Sequence, residues 1–163
     1  MLKYLFLHKG TFFISVNNKN GSKTMAEEVN QLISQGFRCL SKDYIEATDE
    51  YSAKLQYLND FVFCGTNGFV VAIHIPTGEE LWREKPKGMS YSAHNMVTTL
   101  IHRDILICGS FGCAFALNPF TGELIWDNQL PQLGLHPVSI ATTQNSVSYC
   151  EKIIEVERSS PRY

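Results

Sequence analysis

The sequence has no long uninterrupted apolar run and no block of like charge. Residues 1–16 are largely apolar, but Lys3, His8 and Lys9 interrupt them, so neither a signal peptide nor a membrane span is expected there. Lysine and arginine are mostly scattered, and the formal net charge is only −2. Because nucleic-acid binding needs a concentrated positive field, a nucleic-acid partner is not expected.

Cysteines are few and form no metal-binding pattern. The chain has 5, an odd number, with no Cys-x-x-Cys and no Cys/His spacing typical of zinc ligands. Cys64, Cys108 and Cys150 recur in register, and we interpret them as small apolar side chains at one strand position. Reduced thiols suit a reducing compartment, so a cytoplasmic location is expected.

One stretch of the sequence, in contrast, occurs twice. Residues 61–83 align without a gap with residues 105–127, at an offset of 44. The eight identical pairs are Cys64/Cys108, Gly65/Gly109, Gly68/Gly112, Ala72/Ala116, Thr77/Thr121, Gly78/Gly122, Glu79/Glu123 and Trp82/Trp126. A period of about 40–45 residues, carried by short apolar runs and glycine turns, is typical of β-propeller blades.

Each copy has the same order of signals. Two short apolar runs flank a glycine-containing turn, at 65–68 or 109–112, and a loop ending in Thr-Gly leads to a third run that contains tryptophan. Such runs predict antiparallel strands. Their nearly continuous apolar character indicates sheets covered on both faces, as blades packed around an axis are.

Weaker copies flank these two. Residues 136–150 align with 94–108 and resemble the start of a third blade. Residues 6–25 can be laid on 63–82, with Met25 at the tryptophan position, which indicates a degenerate blade.

A short helix is predicted between Thr24 and Gly36, where the apolar period becomes helical. Thr24 and Glu27 match a capping box, and Gly36 suits the end of a helix. The apolar residues of one helical face are Met25, Val29, Leu32 and Ile33.

The predicted fold is therefore all-β: a partial β-propeller of about three four-stranded blades, two of them well formed, with one short inserted helix. Residues 1–60 hold the degenerate blade and the helix. Residues 61–104 and 105–146 hold the two blades, and residues 147–163 hold the truncated start of a further blade with a polar tail.

The segments Ala72–Trp82 and Ala116–Trp126 resemble the tryptophan-docking repeat of the quinoprotein alcohol dehydrogenase-like β-propeller superfamily. The pattern of that repeat, also called the pyrroloquinoline quinone (PQQ) repeat, is Ala-x-Asp-x-x-x-Gly-x-x-x-Trp. The resemblance covers about 90 residues and departs from the pattern at the Asp position, where this chain has His74 and Asn118. The residues that match the structural docking motif are Ala72, Gly78, Trp82, Ala116, Gly122 and Trp126.

The physical roles of these residues can be stated without the family. Gly78 and Gly122 permit a positive φ in the turn before the last strand. The two alanines are expected to be small because a ring from a neighbouring blade lies over them, and Trp82 and Trp126 are expected to supply that ring. Replacing either tryptophan by alanine is then expected to cost about 3–5 kcal/mol.

The resemblance implies two classes of function. Dehydrogenases of the superfamily hold PQQ with calcium, using carboxylate and amide ligands, a catalytic Asp and often a disulfide between adjacent cysteines, whereas similar repeats also occur in non-enzymatic scaffolds. This chain has no adjacent cysteines, both tryptophans are assigned to docking, and two or three blades cannot enclose an axial site. Ser90, Ser92 and His94 form no catalytic triad, and the histidines are interpreted as structural. No catalytic, cofactor-binding or metal residue is predicted.

The leading hypothesis is a non-catalytic binding or scaffolding module, a fragment of a longer propeller. Its expected partners are another protein or the missing propeller blades. A chain with so few blades could instead assemble with other chains into a ring, or persist as an open arc. The alternative function is a piece or remnant of a quinone-dependent oxidoreductase, or the accessory propeller of a larger enzyme, with PQQ and calcium as cofactors.

Overall fold

The computed structural model describes residues 1–41, 43–85, 96–134, 136–143 and 145–147. Strands make up 45% of it and helices 18%, so the fold is mostly β. The strands form antiparallel sheets of up to four strands, and the helices are two rather than the one expected.

The first sheet is built around its first strand. Strand β1 (Leu2–Lys9) pairs with β2 (Phe12–Asn17) on one edge. Two short strands, β3 (Arg38–Cys39) and β4 (Ile45–Ala47), share the other edge of β1. Helix α1 (Ser22–Ser34) is thus inserted within this sheet, between β2 and β3.

Side chains of β1 alternate between two buried faces, as the two-residue period of a strand requires. Leu5 and Leu7 pack in one cluster with Met25 of α1. Tyr4 and Phe6 point to the other face and join the large core shared with the later sheets. Both faces of the strand are therefore covered.

The ends of α1 differ in part from the prediction. The helix begins at Ser22 after Gly21, and no side chain caps it, so the capping box predicted at Thr24 is wrong. Its C-terminus is closed by a Schellman motif, in which Gly36 N–H donates to Ile33 O at 2.9 Å and Phe37 N–H donates to Leu32 O at 3.1 Å. Gly36 has φ +88°, which explains why glycine stands there.

A second helix, α2 (Glu50–Tyr57), was not predicted. Asp49 caps it, since its side chain accepts a hydrogen bond from the backbone N–H of Ser52 at 2.8 Å. A 3-10 turn, Leu58–Asp60, leads from α2 into the next sheet. The buried side chain of Tyr57 carries the end of α2 into the core.

The two copies of the repeat form two similar sheets. The second sheet has strands β5 (Phe61–Thr66), β6 (Phe69–His74) and β7 (Glu80–Glu84), and the third has β8 (Thr98–His102), β9 (Ile105–Ser110), β10 (Cys113–Leu117) and β11 (Leu124–Asn128). Each is an antiparallel meander in chain order. Because β8 belongs to the third sheet, that sheet crosses the boundary placed between residues 104 and 105.

The two copies have the same strand register and a β-bulge at the same position. Ala72 pairs with Trp82 in one sheet, and Ala116 pairs with Trp126 in the other. A β-bulge follows each alanine, between Ala72 and Ile73 and at the equivalent place after Ala116. The repeated sequence therefore encodes a repeated backbone, including its bulge.

The last two strands, β12 (Ile140–Ala141) and β13 (Ser146–Val147), form a short hairpin. Ile140 pairs with Val147, and Ala141 pairs with Ser146. Apart from Val147, the segment 147–163 lies outside the described residues.

Strand β8 is hydrogen-bonded to the second sheet on one side and to the segment before β12 on the other. The Thr99 hydroxyl donates to Phe63 O at 3.2 Å, and the Thr98 hydroxyl donates to Val138 O at 2.9 Å. A Cβ on Gly65 would overlap the carbonyl oxygen of Val97, so glycine is needed where β5 meets the segment leading to β8. Within the described residues the sheets do not close into a ring.

Candidate functional site

The Thr-Gly turns of the two copies have the same backbone. Gly78 N–H donates to His74 O at 2.8 Å, and Gly122 N–H donates to Asn118 O at 2.8 Å. The glycines have φ of +70° and +76°, which is the conformation that the sequence predicted for them. We call residues 74–79 the first turn and residues 118–123 the second turn.

The polar side chains that stand at the Asp position stabilise the turns in two ways. Asn118 Oδ1 accepts a hydrogen bond from Phe120 N–H at 2.9 Å, which is an Asx turn. His74 instead pairs through Nδ1 with the Thr77 hydroxyl at 2.8 Å. Both residues therefore replace the missing aspartate, each with a different partner.

Trp82 is docked onto the second turn. Its indole N–H donates to Pro119 O at 2.9 Å, and its side chain is only 4% exposed. A Cβ on Gly122 would lie 2.7 Å from Trp82 Cε3, so the ring rests directly on that glycine. The second sheet is thereby joined to the third by a buried ring with a satisfied N–H.

The surroundings of Ala72 differ from the expectation that a neighbouring blade supplies the ring above it. Ala72 lies between Phe63 and Trp82, its partners on the adjacent strands of its own sheet. The two ring centroids are 6.0 Å apart, so both rings lean together above the small residue. Ala116 is likewise completely buried, with Trp126 as its partner within its own sheet. The neighbouring sheet meets Trp82 through Gly122 and the carbonyl group of Pro119.

Trp126, the counterpart of Trp82, is 42% exposed. The docking expected for it is not seen among the described residues. All five residues of β11 are exposed, and they include Leu124 and Ile125. Strand β11 is also the edge of its sheet, paired only with β10 in the described part of the chain. We call Leu124, Ile125 and Trp126 the apolar edge.

The first turn, unlike the second, is open to solvent. Residues Ile75 to Gly78 are exposed, and a Cβ on Gly78 would meet no atom within 4 Å. In the second turn Pro119, Phe120 and Gly122 are all buried. Among the described residues there is thus one tryptophan docked on a turn, one undocked tryptophan and one unoccupied turn.

A group of buried aromatic and imidazole side chains lies at the centre of the molecule. His8 Nε2 and the Tyr57 hydroxyl are 3.1 Å apart, and Tyr57 stacks on Phe6 with ring centroids 4.8 Å apart. Phe13 of the first sheet stacks on Phe120 of the second turn at 4.4 Å. The Phe13–Phe120 contact joins the first sheet to the third.

Burial changes the chemistry of this group. Loss of hydration, with the nearby His74 and Arg38 side chains, lowers the pKa of His8 to about 4. Burial likewise raises the pKa of the Tyr57 hydroxyl above its usual range. Both side chains are therefore neutral near pH 7. His8 Nδ1 and His74 Nε2 are buried with no hydrogen-bond partner among the described residues.

Other polar residues considered from the sequence lie elsewhere. Ser90, Ser92 and His94 fall outside the described residues. Within the described ranges, no group of three or more His, Cys, Asp or Glu side chains is placed to hold a metal ion. None of the helices described combines the length and the apolar character needed to cross a bilayer.

Sequence reasoning identified both tryptophans and both turn glycines but missed the acceptor of the indole N–H. That acceptor is the backbone carbonyl of Pro119, a group that every residue has, so no residue type marks it.

Comparison with protein-family models finds no match for this chain, and comparison with curated protein sequences finds none either.

Proposed function

We propose that the protein is a non-catalytic binding or scaffolding module made of PQQ-type propeller repeats, a partial propeller of about three blades. Its role is to hold another polypeptide, either a protein partner or further blades, against the apolar edge. The observation that carries this proposal is the contrast between Trp82, docked and 4% exposed, and Trp126, 42% exposed in an otherwise equivalent strand.

The chemistry of the apolar edge suits a polypeptide. Leu124, Ile125 and Trp126 are 41%, 49% and 42% exposed, and they follow one another on β11, which pairs only with β10 in the described part of the chain. Exposed apolar side chains on both faces of an edge strand favour protein contacts, and the strand offers backbone donors and acceptors to a partner. Trp126 supplies a large ring and one N–H donor to such a contact.

The docked copy indicates what kind of group the edge accepts. The N–H of Trp82 donates to a carbonyl oxygen, and its ring packs on a glycine. A tight turn with glycine at positive φ provides both. We therefore expect Trp126 to select turns of this kind, not an extended strand alone.

Binding can be tested with a backbone-cyclised peptide of residues 114–125, which carries the second turn and has no tryptophan. Titration into the full chain should shift the emission of Trp126 to shorter wavelength, and Trp126→Ala should abolish the shift. The control peptide carries Gly122→Val, whose side chain would collide with the ring. Absence of a shift with the unmodified peptide contradicts the proposal.

The alternative function, a quinone-dependent oxidoreductase, is tested separately by thermal unfolding. A ligand that binds the folded state raises the melting temperature. Under our proposal, PQQ with calcium leaves the melting temperature of the full chain unchanged. Stabilisation that requires both additions together would overturn the non-catalytic proposal.

A further inference from the structure

The undocked tryptophan and the unoccupied turn are complementary to each other, and both occur on every copy of the chain. We infer that Trp126 of one copy docks on the first turn, residues 74–79, of a second copy. This inference rests on the proposed function, because it names the polypeptide that the apolar edge holds.

The contact within the chain provides the template. Trp82 lies on Gly122 and donates to Pro119 O. The residues equivalent to Pro119 and Gly122 in the first turn are Ile75 and Gly78, since the repeat offset is 44. Docking of Trp126 would therefore place its ring on Gly78 and its N–H at the carbonyl oxygen of Ile75.

The first turn has the space and shape for this contact. Its backbone hydrogen bond, Gly78 N–H to His74 O at 2.8 Å, is the same as the one in the occupied second turn. Gly78 has φ +70° with no atom of the described residues within 4 Å of its Cβ position, and Ile75 is 56% exposed. Burying Ile75 and Trp126 together would remove two of the exposed apolar side chains from water.

Charge does not oppose the contact on the side of the first turn. Glu79 is paired with Arg38 at 3.2 Å, and Glu80 is paired with Arg83 at 2.7 Å. The charge of both carboxylates is therefore compensated before Asp127, which follows Trp126 on the other copy, approaches them. These exposed pairs contribute little stability, but they remove a net negative patch from the turn.

The symmetry of the contact follows from its two different halves. A tryptophan on one copy meets a turn on the next, which is a heterologous, head-to-tail interface. In a dimer, one copy still has a free Trp126 and the other still has a free first turn. Association therefore continues beyond a dimer unless the copies close into a ring.

Two variants of the full chain test this arrangement by analytical ultracentrifugation over a range of concentrations. Trp126→Ala removes the donor half, and Gly78→Asn blocks the acceptor half, because asparagine tolerates positive φ but adds a Cβ under the ring. Each variant alone should associate at least about tenfold more weakly than the unmodified chain. Their equimolar mixture should form a dimer and nothing larger, because only one intact interface remains.

The matched control is Gly10→Asn, at another exposed glycine with positive φ (+57°) and no atom near its Cβ position. It should associate like the unmodified chain. Should Gly78→Asn unfold the chain, as circular dichroism would reveal, Ile75→Lys on the same turn takes its place.

The inference is overturned if the unmodified chain stays monomeric at every concentration, or if the mixture of variants forms no dimer. It is also overturned if Trp126 is already shielded from a soluble quencher in the monomer, because residues of the same chain would then cover it. A monomeric chain that still binds the cyclised turn peptide would keep the proposed function and lose only the second copy as partner.

Discussion

The indole N–H of Trp82 donates to the carbonyl oxygen of Pro119 at 2.9 Å, across 37 residues of sequence. This hydrogen bond joins the last strand of one repeat to the turn of the next. With the ring resting on Gly122, it satisfies the polar atom of the largest side chain at the contact between the two sheets. Trp126 lacks the equivalent contact among the described residues. The two copies of the repeat therefore have the same backbone conformation but differ in the burial of their tryptophan.

The two tryptophans should therefore differ strongly in their contribution to stability. Trp82→Ala removes a buried ring and its hydrogen bond, and we expect a loss of about 3–5 kcal/mol in the free energy of unfolding. Trp126→Ala removes a ring that is 42% exposed, and we expect a loss below about 1 kcal/mol in the monomer, in place of the larger value expected from the sequence. Urea unfolding of the two variants measures both values, and equal losses would contradict the structure.

The two turn glycines provide a second matched pair. Both have positive φ, so alanine is strained at either position by about 1 kcal/mol. At Gly122 the added Cβ would also press on Trp82 Cε3 at 2.7 Å, whereas at Gly78 it meets no atom of the described ranges within 4 Å. Gly122→Ala should therefore cost about 1–3 kcal/mol more than Gly78→Ala in chemical denaturation. A larger cost at Gly78 would be inconsistent with the docking described.

Stability should fall with acidity because of His8. Its pKa is about 4 in the folded chain, below the ordinary value of about 6.5 that it regains on unfolding. Between these pH values the unfolded chain binds a proton at His8 that the folded chain excludes. The contribution of His8 to the free energy of unfolding is therefore complete above about pH 6.5 and is lost as the pH falls toward 4. The loss from this residue should reach about 3 kcal/mol.

Unfolding measured at pH 7.5 and pH 4.5 checks this expectation. His8→Asn should lower stability at pH 7.5 but flatten its dependence on pH. His136→Gln, a change at an exposed histidine, serves as the control substitution. A pH profile that His8→Asn leaves unaltered would show that His8 is not the group responsible.

Much of the local fold could be predicted from the repeat. Laying residues 6–25 on 63–82 placed β1 and β2 correctly, and Tyr4 pairs with Asn17 as Phe61 pairs with His74. The register follows because alternating side chains must reach the same buried face in each copy. Helix α1 replaces the strand that should follow, with Met25 buried in its cluster where the other copies have tryptophan.

The sequence did not predict which segment pairs with the free edge of each strand. Cys64 and Cys108 occupy equivalent positions, yet Cys64 is exposed and Cys108 is buried. Cys108 pairs with Thr99 of β8, whereas β5 is the edge of its sheet in the described part of the chain. Local pattern predicts that a strand forms, but which segment covers its edge depends on distant residues such as those of β3 and β4.

The most direct test of the account is tryptophan emission from the two single-tryptophan variants, recorded where the chain is monomeric. The Trp126→Phe variant, which retains Trp82, should emit at short wavelength and resist quenching by acrylamide. The Trp82→Phe variant, which retains Trp126, should emit at longer wavelength and be quenched readily. Quenching of Trp82 as easily as Trp126 would contradict the central claim that Trp82 is docked on the turn at Pro119 and Gly122 while its counterpart is left open.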